Sequence, residues 1–245
     1  MDAERYSDTS SKYPVMMPTA QAFNAQIYSD GIYEEDILVV YDTYEVGLYS
    51  APRVAWTYMH FGYRNVHVLN NFTRYANQGF AISNDSLVLC SKPVPWQTII
   101  TLPQARDPRE VISFEELRDL VLKNSAQRHC QILDARPFHQ FSGLDATAYE
   151  SLPPGHMPDA LSIPLASLLT EDKSLRPVDE LRTIFSKAGV DEEIPVVLTC
   201  NSGVTASALG LALRECGYQM DMRLYDGSWM EWADRVSENG LIVTN

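Results

Sequence analysis

The strongest constraint in this sequence is that much of it is written twice. Residues 18–42, PTAQAFNAQIYSDGIYEEDILVVYD, and residues 177–200, PVDELRTIFSKAGVDEEIPVVLTC, follow one plan. Each opens on a proline, Pro18 or Pro177, suited to a first helical position. Each runs through a helix-like stretch to a glycine, Gly31 or Gly189, that can end it. Each then crosses an acidic turn into a short apolar strand. The strands end at Asp42 and Cys200, an offset of 200 − 42 = 158. A loop follows in both copies, then a helix (55–61 and 206–216) and a Gly-Tyr pair. Strands VHVLN and DMRLYD come next, followed by aromatic pairs, Phe72 with Tyr75 and Trp229 with Trp232. So long an ordered run of matches predicts a duplicated unit.

Strand alternating with helix argues for α/β domains with mainly parallel sheets flanked by helices. VVLTC and ILVVY are continuous apolar runs, as expected of strands buried on both faces. Residues 81–112 lack periodicity and carry Pro93, Pro95, Pro103 and Pro108, which reads as a connector. The second copy opens with a helix over 113–124, where Ser113 and Glu116 form a capping box. Strands over 131–135 and near 161–165 follow. The expected organisation is a first domain over 1–90, a linker over 91–112 and a second domain over 113–245. The second copy has about 65 residues before Pro177, whereas the first has 17 before Pro18. The first domain is therefore expected to be incomplete, a shortened form or the product of an internal start, lacking the helix and two strands of its twin.

Composition narrows the function classes. The 245 residues carry 19 Lys and Arg against 32 Asp and Glu, a formal charge of −13. Such a surface repels phosphate backbones and anionic membranes, so no direct nucleic-acid or membrane partner is expected. No apolar run approaches the ~20 residues that span a bilayer. The first residues form neither a secretory signal nor a good transit peptide. Four cysteines without CxxC spacing and five scattered histidines predict reduced thiols and no metal site. A cytoplasmic location is expected, with the mitochondrion as the alternative, together with a monomeric state and no cofactor.

Cys200 is the residue best placed for chemistry. It ends a buried strand, and in parallel sheets ligands bind beyond the carboxyl ends of the strands. The loop Asn201, Ser202, Gly203, Val204, Thr205 leads straight into a helix whose free N–H groups point back at it. Those groups and the positive helix end favour an anion at the sulfur, whether thiolate or persulfide. Ser202 and Thr205 can add hydroxyl donors. A cysteine phosphatase would need Arg where Ala206 stands, so phosphate transfer is disfavoured. A Cys–His hydrolase would need a positioned base, and His139 and His156 are the candidates by chain order.

Taken together, CNSGVTA (200–206), YDGSW with EW (225–232), ILDAR (132–136) and GHMPDALSIP (155–164) resemble the two-domain rhodanese-type sulfurtransferases. In the first half, DILVVYD, APR (51–53), FGY and VLNNF resemble the family's inactive domain, with Asp42 in place of the catalytic cysteine. The resemblance implies a persulfide on Cys200, loaded from a small sulfur donor. That sulfur would pass to cyanide, to a thiol acceptor such as thioredoxin, or to a sulfur-relay protein. The neutral Asn201 and Ser202 favour 3-mercaptopyruvate over the dianion thiosulfate, and Ser202 matches a serine that assists proton transfer.

Departures from the family pattern keep alternatives open. Gln140 and Tyr149 fall where carboxylate-binding arginines are expected, and neither pairs a carboxylate bidentately. Arg136 is expected to be paired within its own domain, and Trp229 and Trp232 to pack as core. Met1-Asp2 resembles the end of an upstream motif. The absent arginines favour a protein-to-protein sulfur relay as the second reading, of the kind that feeds tRNA thiolation. A third is a non-catalytic interaction module of the same fold, which the intact cysteine loop argues against.

Overall fold

The computed structural model describes residues 3–43, 45–83, 107–124, 129–145, 151–236 and 240–244. The chain divides into two compact units, Met1–Pro108 and Arg109–Asn245. Of the connector expected over 91–112, residues 91–106 lie outside the described residues. Residues 111 and 112 belong to the second unit. The Ile112 N–H donates to the Leu224 carbonyl at 3.0 Å, and Arg223 Nη2 donates to the Val111 carbonyl at 3.0 Å.

The first unit runs α1 (Ala20–Asp30), β1 (Leu38–Val40), α2 (Ala51–His60), β2 (Val66–Val68), α3 (Phe72–Asn77). Thr19 caps α1, its hydroxyl oxygen accepting from the Ala22 N–H at 3.2 Å. Pro18 therefore sits one residue before the cap and not at the first helical position. Gly31 ends the helix with φ at +65°, a conformation most side chains resist. Helix α2 starts four residues earlier than the sequence predicted. Pro52 lies in its first turn, where a missing N–H costs nothing. One face of β1 packs inward through Leu38 and Val40, under a cluster in which Phe23 stacks on Phe61 at 4.3 Å. β1 and β2 pair in parallel, and among the described residues this sheet has two strands. Counterparts of the 113–124 helix and of two further strands are not found among the described residues of this unit.

The second unit contains α4 (Phe114–Asn124), β3 (Gln131–Asp134), α5 (Phe138–Ser142), β4 (Leu161–Ser162), α6 (Leu165–Leu168), α7 (Val178–Ala188), β5 (Val196–Thr199), α8 (Val204–Glu215), β6 (Met222–Leu224) and α9 (Ser228–Arg235). Its four strands are all parallel, in the order β4-β3-β5-β6. Every residue of β3 and β5 is buried, as their apolar runs require. Phe114, Leu117 and Val121 of α4 cover one sheet face and share a core with Ile132, Val197 and Trp232. Each such side chain contributes about 1.5–3 kcal/mol when fully buried. Pro177 caps α7 and is not its first helical residue. At α4, Ser113 Oγ accepts the Glu116 N–H at 3.2 Å. The Glu116 carboxylate leaves the capping box and pairs with Arg223 at 2.7 Å.

The register places the chemistry. β3 and β5 pair Gln131 with Val196 and Asp134 with Thr199, so both strands finish level. Arg136 and Cys200 therefore emerge at the same carboxyl edge of the sheet. That edge is braced by His156, one of the two histidines the sequence offered as a candidate base. Its Nδ1–H donates to the Phe141 carbonyl at 2.8 Å, and its ring stacks on Phe141 at 3.9 Å. Because a carbonyl can only accept, the neutral tautomer with a proton on Nδ1 satisfies this contact. Burial lowers the His156 pKa below its ordinary 6.5, since desolvation penalises the imidazolium.

The unfolded chain then binds the proton more readily than the folded one. The stability from neutral His156 is complete above about pH 6.5 and is lost as pH falls below it. Urea unfolding at pH 7.5 and pH 5.5 should show the wild type losing stability on acidification, and His156→Asn losing measurably less. Equal losses in both proteins would remove His156 from the account.

Candidate active site

Cys200 follows the last residue of β5 and is 2% exposed. Three residues later Gly203, with φ at +77°, turns the chain into α8 and stands at its N-cap. A side chain there would be strained, so the turn from strand to helix is built around this glycine. Val204 is buried as the first residue of α8, while Asn201, Ser202 and Thr205 are half-buried.

The loop's carbonyl and amide groups have opposite fates. The Cys200 carbonyl accepts the Trp229 N–H at 2.9 Å, and the Asn201 carbonyl accepts the Met230 N–H at 3.2 Å. The Cys200 N–H donates to Ser228 Oγ at 3.2 Å, and that hydroxyl donates onward to the Tyr225 carbonyl at 2.8 Å. The first turn of α9 thus grips the back of the loop. By contrast, none of the six backbone N–H groups at 201–206 donates to a protein group among the described residues. The first to do so is Ser207, which donates to the Gly203 carbonyl at 3.3 Å. Buried amides without partners are costly, and a row of them at a helix start is an anion site.

The first unit shows what such a row does when it is filled. Asp42, at the position equivalent to Cys200, accepts the N–H groups of Tyr49 at 2.7 Å, Ser50 at 2.9 Å and Ala51 at 2.9 Å. These residues open α2 as 202–204 open α8. One copy of the turn satisfies its helix start with a built-in carboxylate. The other leaves its amides open around a thiol.

Two neighbours complete the Cys200 loop. Asn201 Nδ2 donates to Gln140 Oε1 at 3.1 Å, tying the loop to α5. Gln140 thus stands against the loop, at the position where the sequence reading expected an arginine. Tyr149 lies outside the described residues. Arg136 is 1% exposed and is held by Asp134, with Nη2 to Oδ2 at 2.6 Å, and by the Gly155 carbonyl at 2.9 Å. Its guanidinium lies 4.2 Å from the Trp229 ring centre. It is paired in its own unit, as expected, and Trp229 and Trp232 are buried core residues.

The hydroxyls of Ser202 and Thr205 have no protein partner among the described residues. His139 lies 3.5 Å from Asp145 on the surface, and His156 is occupied by Phe141, so neither is hydrogen-bonded to Cys200. The base of a Cys–His pair is therefore not assembled here. Among the described residues Cys130 and Cys216 are buried and in no disulfide, and Cys90 lies outside the described residues. Ser228 is the functional residue that sequence reasoning missed. It lies 28 positions from Cys200, and only its place inside the YDGSW motif pointed to it.

The sequence family described as Rhodanese-like domain matches residues 113–235. The chain is 34% identical over 242 residues to the 3-mercaptopyruvate sulfurtransferase of Mus musculus, covering 98% of this chain and 77% of the relative. It is 34% identical over 240 residues to the thiosulfate sulfurtransferase of Rattus norvegicus, covering 96% and 75%. The crystal structure of the Tum1 protein of Saccharomyces cerevisiae superposes with a TM-score of 0.87 at 30% identity, covering all of this chain and 81% of that one.

If the 201–206 amides form an anion cradle, a carboxylate should be tolerated at Cys200 as it is at Asp42. Cys200→Asp should keep its unfolding free energy at pH 7.5 within about 1 kcal/mol of wild type. The same change at Cys130, in the apolar core, should cost about 3 kcal/mol or more. Equal, severe losses at both positions would contradict the cradle.

Proposed function

This chain belongs to the rhodanese-type sulfurtransferases, and on that premise we propose that its sulfurtransferase activity runs through a persulfide on Cys200. The observation that carries this reading is the row of unengaged amides at 201–206 beside a thiol at the strand end. With 3-mercaptopyruvate as donor, the Cys200 thiolate attacks the donor sulfur. An S–S bond forms, the donor C–S bond breaks, and the enolate of pyruvate leaves and takes up a proton. Ser202, half-buried and two residues after Cys200 in the loop, is suited to deliver that proton. The new outer sulfur carries negative charge, which the fixed amides and the α8 N-terminus stabilise without reorganising. An acceptor thiolate or cyanide then attacks this outer sulfur and releases the Cys200 thiolate.

Asn201, Ser202 and Thr205 are neutral, which suits a monoanionic donor better than the dianion thiosulfate. A second reading is favoured by one specific pairing. Arg136 is committed to Asp134, and neutral Gln140 holds Asn201, so neither supplies an ion pair for a substrate carboxylate. That arrangement fits a relay in which a protein thiol gives or takes the sulfur.

Mass spectrometry of the intact protein after incubation with 3-mercaptopyruvate tests the main reading. A gain of one sulfur atom located on Cys200, absent from Cys200→Ser, is the expected result. Undiminished donor turnover by Cys200→Ser would overturn it. Sulfur loading from a persulfidated donor protein alone would transfer the assignment to the relay.

A further inference from the structure

We propose that Ser228 is a positioning residue for Cys200, kept in a left-handed backbone conformation so that its hydroxyl can hold the Cys200 amide. The inference rests on the Cys200 persulfide proposed above and assigns the residue that aims the sulfur. Ser228 has φ at +49°, a region that favours glycine and that an L side chain occupies only when its surroundings hold it there. Among the described residues three other non-glycines have positive φ, Val15, Asp159 and Lys173. Asp159 and Lys173 are exposed and Val15 is half-buried, whereas Ser228 is completely buried. A strained residue inside the protein, bonded to the backbone of a reactive side chain, points to a functional constraint.

Backbone strain alone would place the two small residues of this turn the other way round. Gly227 adopts φ −65°, which any residue tolerates, while Ser228 takes the angle that suits glycine. Gly227 is required by space, since a Cβ there would lie 2.5 Å from Glu231 Cβ. Ser228 is held by its bonds, its Oγ accepting the Cys200 N–H at 3.2 Å and donating to the Tyr225 carbonyl at 2.8 Å. Its own helix is left without a side-chain cap. The first unit shows the relaxed alternative. Asn71 stands at the equivalent position, just before Phe72, which matches Trp229 in the repeat. Its φ is −159°, ordinary extended backbone, and its Oδ1 accepts the Arg74 N–H at 3.0 Å as the N-cap of α3. Where the strand ends in Asp42, this residue caps its own helix. Where the strand ends in Cys200, it is turned round to hold the strand end.

The result is a sulfur with little freedom. The Thr199 carbonyl accepts the Ala135 N–H at 2.9 Å, and the Cys200 carbonyl accepts the Trp229 N–H at 2.9 Å. With the Cys200 N–H held by Ser228, the peptide planes on both sides of Cys200 are fixed. The torsion about Cα–Cβ is what remains between this backbone and the sulfur. A misplacement of about 1 Å can cost about 100-fold in rate. Losing the Ser228 anchor should therefore slow sulfur loading while leaving donor binding in place, because the hydroxyl is turned to the protein on both of its bonds.

Ser228→Gly and Ser228→Ala both remove the hydroxyl, and only glycine also relieves the backbone. The rate of persulfide loading from 3-mercaptopyruvate, measured beside urea unfolding of the same proteins, separates the two effects. Both variants should lose about tenfold in kcat for loading, with KM within about twofold of wild type. The glycine variant should nonetheless unfold at a higher urea concentration than the alanine variant, the reverse of the usual order of these residues. Loading at the wild-type rate, a rate that follows stability from one variant to the other, or a glycine variant less stable than the alanine one would each overturn the assignment with the persulfide reading intact. Should neither variant fold, hydrogen exchange of the wild type decides. A slowly exchanging Cys200 amide supports the anchor, and a rapidly exchanging one overturns it. Failure of wild-type Cys200 to acquire sulfur from any donor would overturn the persulfide reading and the assignment together.

Discussion

Main-chain amides at the start of a helix need an acceptor, and this protein meets that need in two ways. In the first unit the Asp42 carboxylate takes three N–H groups at the entrance to α2. In the second, the six amides at 201–206 are left open at the entrance to α8, beside Cys200. The duplicated turn works as an internal comparison, because the same local design appears once filled by a fixed anion and once beside a thiol. In the persulfide we propose, an anionic sulfur on that thiol would take the part that the carboxylate plays in the other copy. The proposed persulfide and the geometry of the loop thus rest on one electrostatic requirement.

The rest of the second unit keeps those amides free. The loop's carbonyls, which would otherwise compete for them, are taken by the first turn of α9 through Trp229 and Met230. Ser228 holds the Cys200 amide itself. Arg136 is buried between Asp134 and the Trp229 ring, fixing the helix that does the gripping. A buried cation without a partner would cost several kcal/mol, so Asp134 is what allows this strut to exist. The level register of β3 and β5 brings Arg136 and Cys200 to one edge.

Much of this was legible in the sequence, for identifiable reasons. The repeat, the strand-end cysteine and the left-handed glycines Gly31 and Gly189 are local patterns, and local patterns survive being read in one dimension. Arg136 could be read as self-paired because Asp134 stands two residues before it. The start of α2 was misread because Pro52 looks like loop unless it is recognised as a first-turn proline. Pro18 and Pro177 stand two residues and one residue before the first helical position, an ambiguity intrinsic to helix ends. Ser228 and the Asn201–Gln140 pair could not be read at all. They join segments 28 and 61 positions apart, and only the folded sheet brings them together.

The central claim is that the amides at 201–206 receive the sulfur anion. Proton–nitrogen correlation NMR of the protein, recorded while 3-mercaptopyruvate loads Cys200, tests it directly. The account predicts that several of those six amide signals move as the persulfide mass appears, while the Tyr49, Ser50 and Ala51 amides, already bound to Asp42, stay in place. Appearance of the persulfide with all six signals unmoved would contradict it.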